Sequence, residues 1–446
     1  MARAMADFAR SSDPAVQQQL DRLASLTQGG DQLGLERIAI LLDRLGRPQD
    51  GLPPVLHVAG TNGKGSTCAF LRAAIEASGQ LVHVYTSPHL VRFNERIRIA
   101  GRLIEDAALA MLLAEVLDAA GDLPVSFFEA TTAAAFLGFA RTPADACVLE
   151  VGLGGRLDAT NVVTAPAACG ITQLGIDHQA FLGDTLTGIA VEKAGIAKPG
   201  VPLVTQQYST RVAERIGQVA RETGAQWLPR GGAWDAIAYR GLLHYRDGAG
   251  RLELPMPRLA GVHQSGNAAL AVAMLRHQSH IDLPPSAYRA AMGWADWPGR
   301  LQQLTSGPIV DLLPRGSELW IDGGHNPSGA RSIADFFRGH LASGRPFHLI
   351  AGILANKDAA GILKPFAERQ TTVHAVPVPD HAHHAPAELA ATAEAEGLKA
   401  IAAGSAIEAV DWIVRHADRT NPPVVLILGS LYLAGAILAD NGPLPD

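Results

Sequence analysis

Gly60-Thr61-Asn62-Gly63-Lys64-Gly65-Ser66-Thr67 sets glycines, one lysine and two hydroxyls between an apolar run, 55–59, and a helical pattern over 64–78. A glycine loop that leaves a strand and opens a helix turns backbone N–H groups toward an anion. Lys64 can then reach the outer phosphates of a nucleoside triphosphate, and the hydroxyl of Ser66 or Thr67 can bond phosphate or support Mg²⁺. The spacing departs from G-x-x-x-x-G-K-[ST] at both ends: Val58 stands where the first Gly belongs, and Gly65 follows the lysine. A glycine-rich turn with a surface lysine has similar composition. The flanking strand and helix favour the phosphate loop.

Other groups fall where such a ligand would meet them. Val148-Leu149-Glu150-Val151-Gly152-Leu153-Gly154-Gly155 ends a strand on a carboxylate before a glycine loop. Ligands of open α/β sheets bind at the carboxyl ends of strands, so Glu150 is placed to hold nucleotide-bound Mg²⁺, directly or through water. Asp177-His178 follows another strand, and His178 is a candidate second metal ligand, although a lone histidine is more often a hydrogen-bonded core residue. Glu192 and Lys193 lie in a helical pattern and by spacing read as an ordinary solvated pair. Asp322-Gly323-Gly324-His325-Asn326-Pro327 ends a strand and starts a helix, facing any ligand on that edge. Arg300, in Trp297-Pro298-Gly299-Arg300, could reach phosphate from the side. Turn chemistry plus a surface arginine accounts for the same residues without function.

Strands must carry these groups, and the chain alternates short apolar runs with helical patterns. Strands are expected at 55–59, 81–85, 146–151, 168–172 and 201–205, with helices at 64–78, 105–119, 129–141 and 185–197. That rhythm predicts an α/β fold with a mostly parallel sheet flanked by helices. Around 234–257 it changes, and Asp247-Gly248 between apolar runs predicts a small antiparallel elaboration. Helices are expected at 264–277 and 286–293. Past 297–300, a linker candidate, the rhythm restarts with strands at 318–322, 347–351, 373–376 and 424–428. Helices are expected at 328–342 and 357–367, and two in succession at 386–396 and 405–417 before the last strand. Two α/β domains are expected, 1–299 and 300–446.

Composition limits the ligands. The 446 residues are 48% hydrophobic and 18% charged with net charge −6, which makes a packed core and offers no field for holding nucleic acid non-specifically. Gly (46) and Pro (28) exceed the average share of about 12% and cluster in short loops that could approach a ligand closely. Cys68, Cys147 and Cys169 lie in apolar runs and suit a reducing cytosol. No run approaches a membrane span, and Met1–Arg10 lacks a signal-peptide core, so a cytoplasmic protein is expected. His381-Ala382-His383-His384 could bind metal, but a solvated loop is the simpler reading.

Together these segments resemble the folylpolyglutamate synthase / dihydrofolate synthase family, within the Mur-ligase-like ATP-dependent amide ligases, in its bacterial bifunctional form. The similarity runs from about residue 30 to 435. It rests on Gly34-Leu35-Glu36-Arg37, 57–67, Tyr85-Thr86-Ser87-Pro88-His89-Leu90 and Phe93-Asn94-Glu95-Arg96. Phe128-Glu129-Ala130-Thr131-Thr132, 149–161, 192–196, His263-Gln264-Ser265-Gly266-Asn267, 297–300, 322–327 and Gly429-Ser430-Leu431-Tyr432 complete it. The shifted phosphate loop is the family's own form. The resemblance implies a P-loop NTPase-like N-terminal domain and a Rossmann-like C-terminal one. It implies ATP held by Gly63, Lys64, Gly65 and Ser66, with Asn267, Arg300 and Asp322 contributing. It places metal on Ser87, Glu150 and His178, with two Mg²⁺ ions, and makes Lys193 an N6-carboxylysine whose carbamate supports the second ion. Pterin contacts would be Gly34, Leu35, Glu36, Arg37, Ser126, Phe127, Phe128, Glu129, Leu157, Asp158 and Ala159, and His325 and Ser430 would line the glutamate side.

The implied reaction joins L-glutamate to dihydropteroate or to reduced folates. ATP phosphorylates a carboxylate, the amine displaces phosphate, and ADP is released. Lys64, His178, Lys193, Arg300 and His325 would carry the chemistry, and closure of the domains about 297–300 would keep the acyl phosphate dry. The partners expected are small molecules only, with neither nucleic acid nor membrane, and the enzyme is expected to be a monomer. Rival readings are a monofunctional synthase of either kind, a cell-wall ligase, and a nucleotide-binding switch without ligase chemistry.

Overall fold

The computed structural model describes residues 10–26, 33–342, 344–367 and 371–441. All of the Met1–Arg10 segment except Arg10 lies outside the described residues. The chain divides into two compact units. The first takes in the chain through Arg258 together with Gln264–Asp296, and the second takes in Leu259–His263 with Trp297 onward.

The first unit is built on β1 (Val55–Ala59), β2 (Val82–Tyr85), β3 (Ile97–Ile99), β4 (Arg102–Leu103), β5 (Ala146–Glu150), β6 (Ala168–Ile171), β7 (Pro202–Thr205) and β8 (Gln226–Pro229). They form one sheet in the order β4-β3-β2-β5-β1-β6-β7-β8. All five residues of β1 and of β5 are buried, as expected of central strands covered on both faces. Their parallel register pairs Val58 with Glu150, so the glycine loop that begins at Gly60 and the carboxylate leave the sheet side by side. One apolar cluster packs helices Pro14–Leu26, Glu36–Arg44, Asp106–Ala120 and Phe127–Arg141 against Val55, Tyr85 and Leu149. A second packs Leu186–Ala194 and Thr210–Thr223 against Ala59, Ile171 and Leu203.

The antiparallel elaboration is β9 (Trp234–Tyr239), β10 (Leu242–Asp247) and β11 (Gly250–Pro255), with Asp247 paired to Gly250 across the turn. Asp247 is 1% exposed at its side chain and takes Arg276 on both oxygens at 2.6 and 2.7 Å, pinning the sheet to helix Val262–Arg276.

In the second unit β12 (Gln302–Leu304), β13 (Glu318–Ile321), β14 (Phe347–Ala351), β15 (Thr371–Ala375), β16 (Lys399–Ala402) and β17 (Val424–Leu428) run in the order β12-β13-β17-β14-β15-β16. All pairs are parallel except β12 with β13. Trp320, Phe337, Phe347, Phe366 and Leu426 centre its core. The single helix expected over 357–367 is instead a short helix, Ala359–Leu363, followed by a 3₁₀ turn, Lys364–Phe366. Pro365 lacks the N–H a continuing helix requires. Among the described residues no helix is long and apolar enough to cross a membrane.

Candidate active site

The helix Lys64–Ala77 starts on Gly63, whose φ of +87° is a left-handed conformation, and no side chain caps its first turn. Helix starts carry several unbonded N–H groups and a partial positive charge, so this one has the chemistry to seat an anion. The approach to it is pinned from β6: Thr61 and Asn62 donate their N–H to the Gln173 carbonyl at 2.9 and 3.1 Å, and the Thr172 hydroxyl donates to the Asn62 carbonyl. Gln264, 1% exposed, donates to the Ser66 hydroxyl at 3.3 Å and accepts from Asn267 at 3.0 Å. A Cβ at Gly63 would lie 2.3 Å from the Asn267 amide oxygen, so glycine is required there for space as well as for φ. Gln264 carried no role in the sequence reading. Its signal was its place in the His263–Asn267 segment.

Glu150 ends β5 at 4% exposure. Lys64 Nζ lies 3.9 Å from its carboxylate, and the Ser87 N–H points to Oε2 at 3.4 Å. Ser87, Glu150 and Lys64 therefore converge beside the helix start. A buried carboxylate next to a hydroxyl-bearing turn and an uncapped helix start fits Mg²⁺, which takes oxygen ligands from one or two protein groups and from phosphates. His178 is an exposed residue in a left-handed conformation (φ +51°) that starts the short helix Gln179–Leu182. Among the described residues no three His, Cys, Asp or Glu side chains gather tightly enough for a metal, neither at His178 nor at His381–His384.

Lys193 corrects the reading from spacing. It is 4% exposed, and its Nζ donates to the Gly60 carbonyl at 2.9 Å. Burial, reinforced by the charge of Lys64, lowers its pKa to about 7, against the pull of Asp177 and Asp158. Its neighbour Glu192 is the residue that pairs at the surface, with Arg156 at 3.0 Å.

A second cluster starts helix Phe127–Arg141. Ser126 caps it by accepting from Glu129 N, while the Glu129 carboxylate takes Ser126 N at 2.6 Å and Arg37 Nε at 3.1 Å. Gly34, Leu35 and Arg37 are half-buried here and Glu36 is exposed. Phe127 is buried against Arg96 and Phe93, and Phe128 packs on Tyr85 with ring centroids 5.8 Å apart. Asp158 is buried and committed: it accepts from Leu153 N, Thr160 N and Thr160 Oγ1, and Thr160 in turn meets His57 Nε2 at 2.8 Å. Its carboxylate ties the 152–155 loop to the turn at 159–162. Leu157 is half-buried and Ala159 buried beside it.

In the second unit Asp322 receives Leu301 N at 2.7 Å and Gly324 N at 2.6 Å, with Arg300 Nη1 at 3.9 Å. His325 meets the Gly323 carbonyl through Nδ1 at 2.9 Å, and buried Ser430 accepts from Tyr432 N at the start of helix Leu431–Asn441.

Residues 307–431 match the family model described as Mur ligase, glutamate ligase domain. The chain is 36% identical to the folylpolyglutamate synthase of Lacticaseibacillus casei, over 92% of this chain and 94% of that one. It is 34% identical to the dihydrofolate synthase/folylpolyglutamate synthase of Escherichia coli, covering 94% of each. A crystal structure of a bifunctional folylpolyglutamate synthase/dihydrofolate synthase with Mn, AMPPNP and L-glutamate bound superposes with a TM-score of 0.81 at 32% identity, over 96% of this chain and 99% of the other.

Proposed function

The chain belongs to the folylpolyglutamate synthase and dihydrofolate synthase family of ATP-dependent amide ligases, and on that premise we propose that it is bifunctional, adding L-glutamate both to dihydropteroate and to reduced folates. What carries the reading is the uncapped start of the 64–77 helix set beside the Glu150 carboxylate. We also take it to be a cytoplasmic monomer acting on small molecules.

A carboxylate oxygen is a poor leaving group, so amide formation needs that oxygen phosphorylated first. In-line transfer of the γ-phosphoryl group demands position and charge neutralisation more than covalent help. The N–H groups of Lys64, Gly65 and Ser66 would hold the phosphates, and the Lys64 ammonium would follow the charge of the migrating group. Arg300, Asp322 and Asn267 are assigned to the nucleotide. Ser87 and Glu150 would hold Mg²⁺, which neutralises phosphate charge when bound; His178 and carboxylated Lys193 would hold a second ion. The carbamate forms when the Lys193 amine lone pair attacks CO₂ and the nitrogen loses a proton, which converts a buried base into an anion. Arg37, Glu129 and the rings of Phe127 and Phe128, with Gly34, Leu35, Glu36, Ser126, Leu157, Asp158 and Ala159, would border the acceptor. His325 and Ser430 would face the incoming glutamate.

Glutamate-dependent phosphate release, run with dihydropteroate and then with tetrahydrofolate, separates the bifunctional enzyme from either monofunctional one. Lys64→Ala should lose about 100-fold or more in kcat with both acceptors, the scale of one lost transition-state contact. Normal turnover by Lys64→Ala would remove the phosphate loop from the mechanism. Nucleotide binding without any glutamate-dependent release would make the protein a switch.

A further inference from the structure

We propose that Glu95 is a positioning residue for Ser87: its carboxylate gathers the turn that follows β2 and fixes Ser87 against Glu150. The inference rests on the assignment of Ser87 and Glu150 to the metal.

In the turn between β2 and the 3₁₀ segment Phe93–Arg96, four N–H groups are directed to carboxylates. Glu95 takes Leu90 N at 2.7 Å, Val91 N at 3.0 Å and Arg92 N at 2.7 Å, while Ser87 N points to Glu150 at 3.4 Å and Pro88 has no N–H to offer. Buried or half-buried amides must find acceptors, and here one side chain supplies three. Hydrogen bonds to an ionised acceptor are about twice as strong as neutral ones. The 3.4 Å contact of Ser87 is at the weak end of the range and could not hold the turn by itself. The short bonds to Glu95 must do that.

The neighbours of Glu95 hold it in place. Thr86 N donates to the Arg96 carbonyl at 3.0 Å and closes the base of the turn. Arg96 is 1% exposed, donates Nε to His89 Nδ1 at 2.9 Å, and lies 5.4 and 5.5 Å from the ring centroids of Phe93 and Phe127. Asn94 anchors the other side through the Ile104 carbonyl at 2.8 Å and Asp106 at 2.9 Å. The side chains of Glu95 and Arg96 thus both bond this one turn, at the carboxyl end of the strand adjacent to that of Glu150, while Asn94 ties the same segment to 104–106. Groups that orient a metal ligand commonly govern affinity as strongly as the ligand does.

The test is Mn²⁺ binding to the full chain in the presence of ADP, read from the signal of free Mn²⁺, with melting temperature measured alongside. Glu95→Gln keeps the size and loses the charge; it should weaken Mn²⁺ about 10- to 100-fold with little change in melting temperature. Ser87→Ala is the reference. If Ser87→Ala weakens Mn²⁺ and Glu95→Gln does not, the positioning role is wrong and the metal assignment stands. If neither weakens it, the metal assignment falls and takes the positioning role with it. Should Glu95→Gln fail to fold, Glu95→Asp, which keeps the charge on a shorter arm, decides by the same two outcomes.

Discussion

Among single residues, Lys193 is the one whose chemistry depends most on its surroundings. Burial, with Lys64 adding to it, lowers its pKa to about 7, while the unfolded chain keeps the ordinary value of 10.5. Between those values the unfolded state binds the extra proton, so this group makes stability rise with pH across that window; its penalty is fully present below pH 7. The amine, not the ammonium, attacks CO₂. Carboxylation and kcat should therefore fall together as pH drops through about 7, the first read by ¹³C NMR of protein equilibrated with labelled bicarbonate. Lys193→Ala should be nearly inactive and regain rate with a short carboxylate such as formate, which leaves the unsubstituted enzyme unchanged. Full activity of Lys193→Ala without added acid would sink the carbamate. Sequence spacing could not find this residue, because Glu192-Lys193 on a helix reads as a solvated pair and only the fold reveals that one of the two is inside. Glu150, by contrast, was legible: a carboxylate that ends an apolar strand before glycines has few other places to be.

At the level of elements, the end of β5 and the start of helix Phe127–Arg141 are fitted to each other through Gly152. A Cβ there would meet Phe128 Cζ, Cε2 and Cε1 at 2.5, 2.8 and 3.0 Å. Gly152→Ala must push the ring aside, and overpacking of this kind costs about 1–3 kcal/mol. If Phe128 borders the acceptor, the substitution should raise KM for dihydropteroate about tenfold and leave KM for ATP near its usual value. Phe128→Leu in the Gly152→Ala background should recover the stability, measured as a double-mutant cycle. An unchanged acceptor KM with lowered stability would confine the contact to packing. The elements themselves were readable in proportion to how local their signals are. Five-residue apolar runs marked β1 and β14, and Asp247-Gly248 marked the hairpin, because buried parallel strands and tight turns are written in adjacent letters. The partner of Asp247, Arg276, lies 29 residues on and was not legible. Nor were β8 and β16, four-residue strands at the edges of their sheets, or β3 and β4, which are three and two residues long and too short to carry an alternation.

For the whole molecule, the chain passes between its two compact units three times, at 258/259, 263/264 and 296/297. The rhythm of strands and helices led to an expected boundary after residue 299, whereas the last passage falls at 296/297. That rhythm gave no sign of the first two, because a five-residue excursion, Leu259–His263, is too short to carry a period. Ala260 from that excursion packs on the second unit's core, so that unit depends on residues that sequence order would assign to the first. The assignment of Arg300 and Asp322 to the nucleotide has a consequence at this scale. Hydrogen exchange with saturating AMPPNP and Mg²⁺ should slow the amides of 60–67 and also those of 299–324. Asp322 already holds Leu301 N and Gly324 N, so any restraint on its carboxylate is felt at those two amides. Ligand at 100 times its Kd stabilises what it binds by about 2.7 kcal/mol, a roughly hundredfold slowing for amides that exchange by opening of the bound segment. Arg300→Ala should abolish the slowing at 299–324 and leave a reduced one at 60–67. Protection confined to the phosphate loop in the unsubstituted protein would assign the nucleotide to the first unit alone and leave Arg300 to turn chemistry.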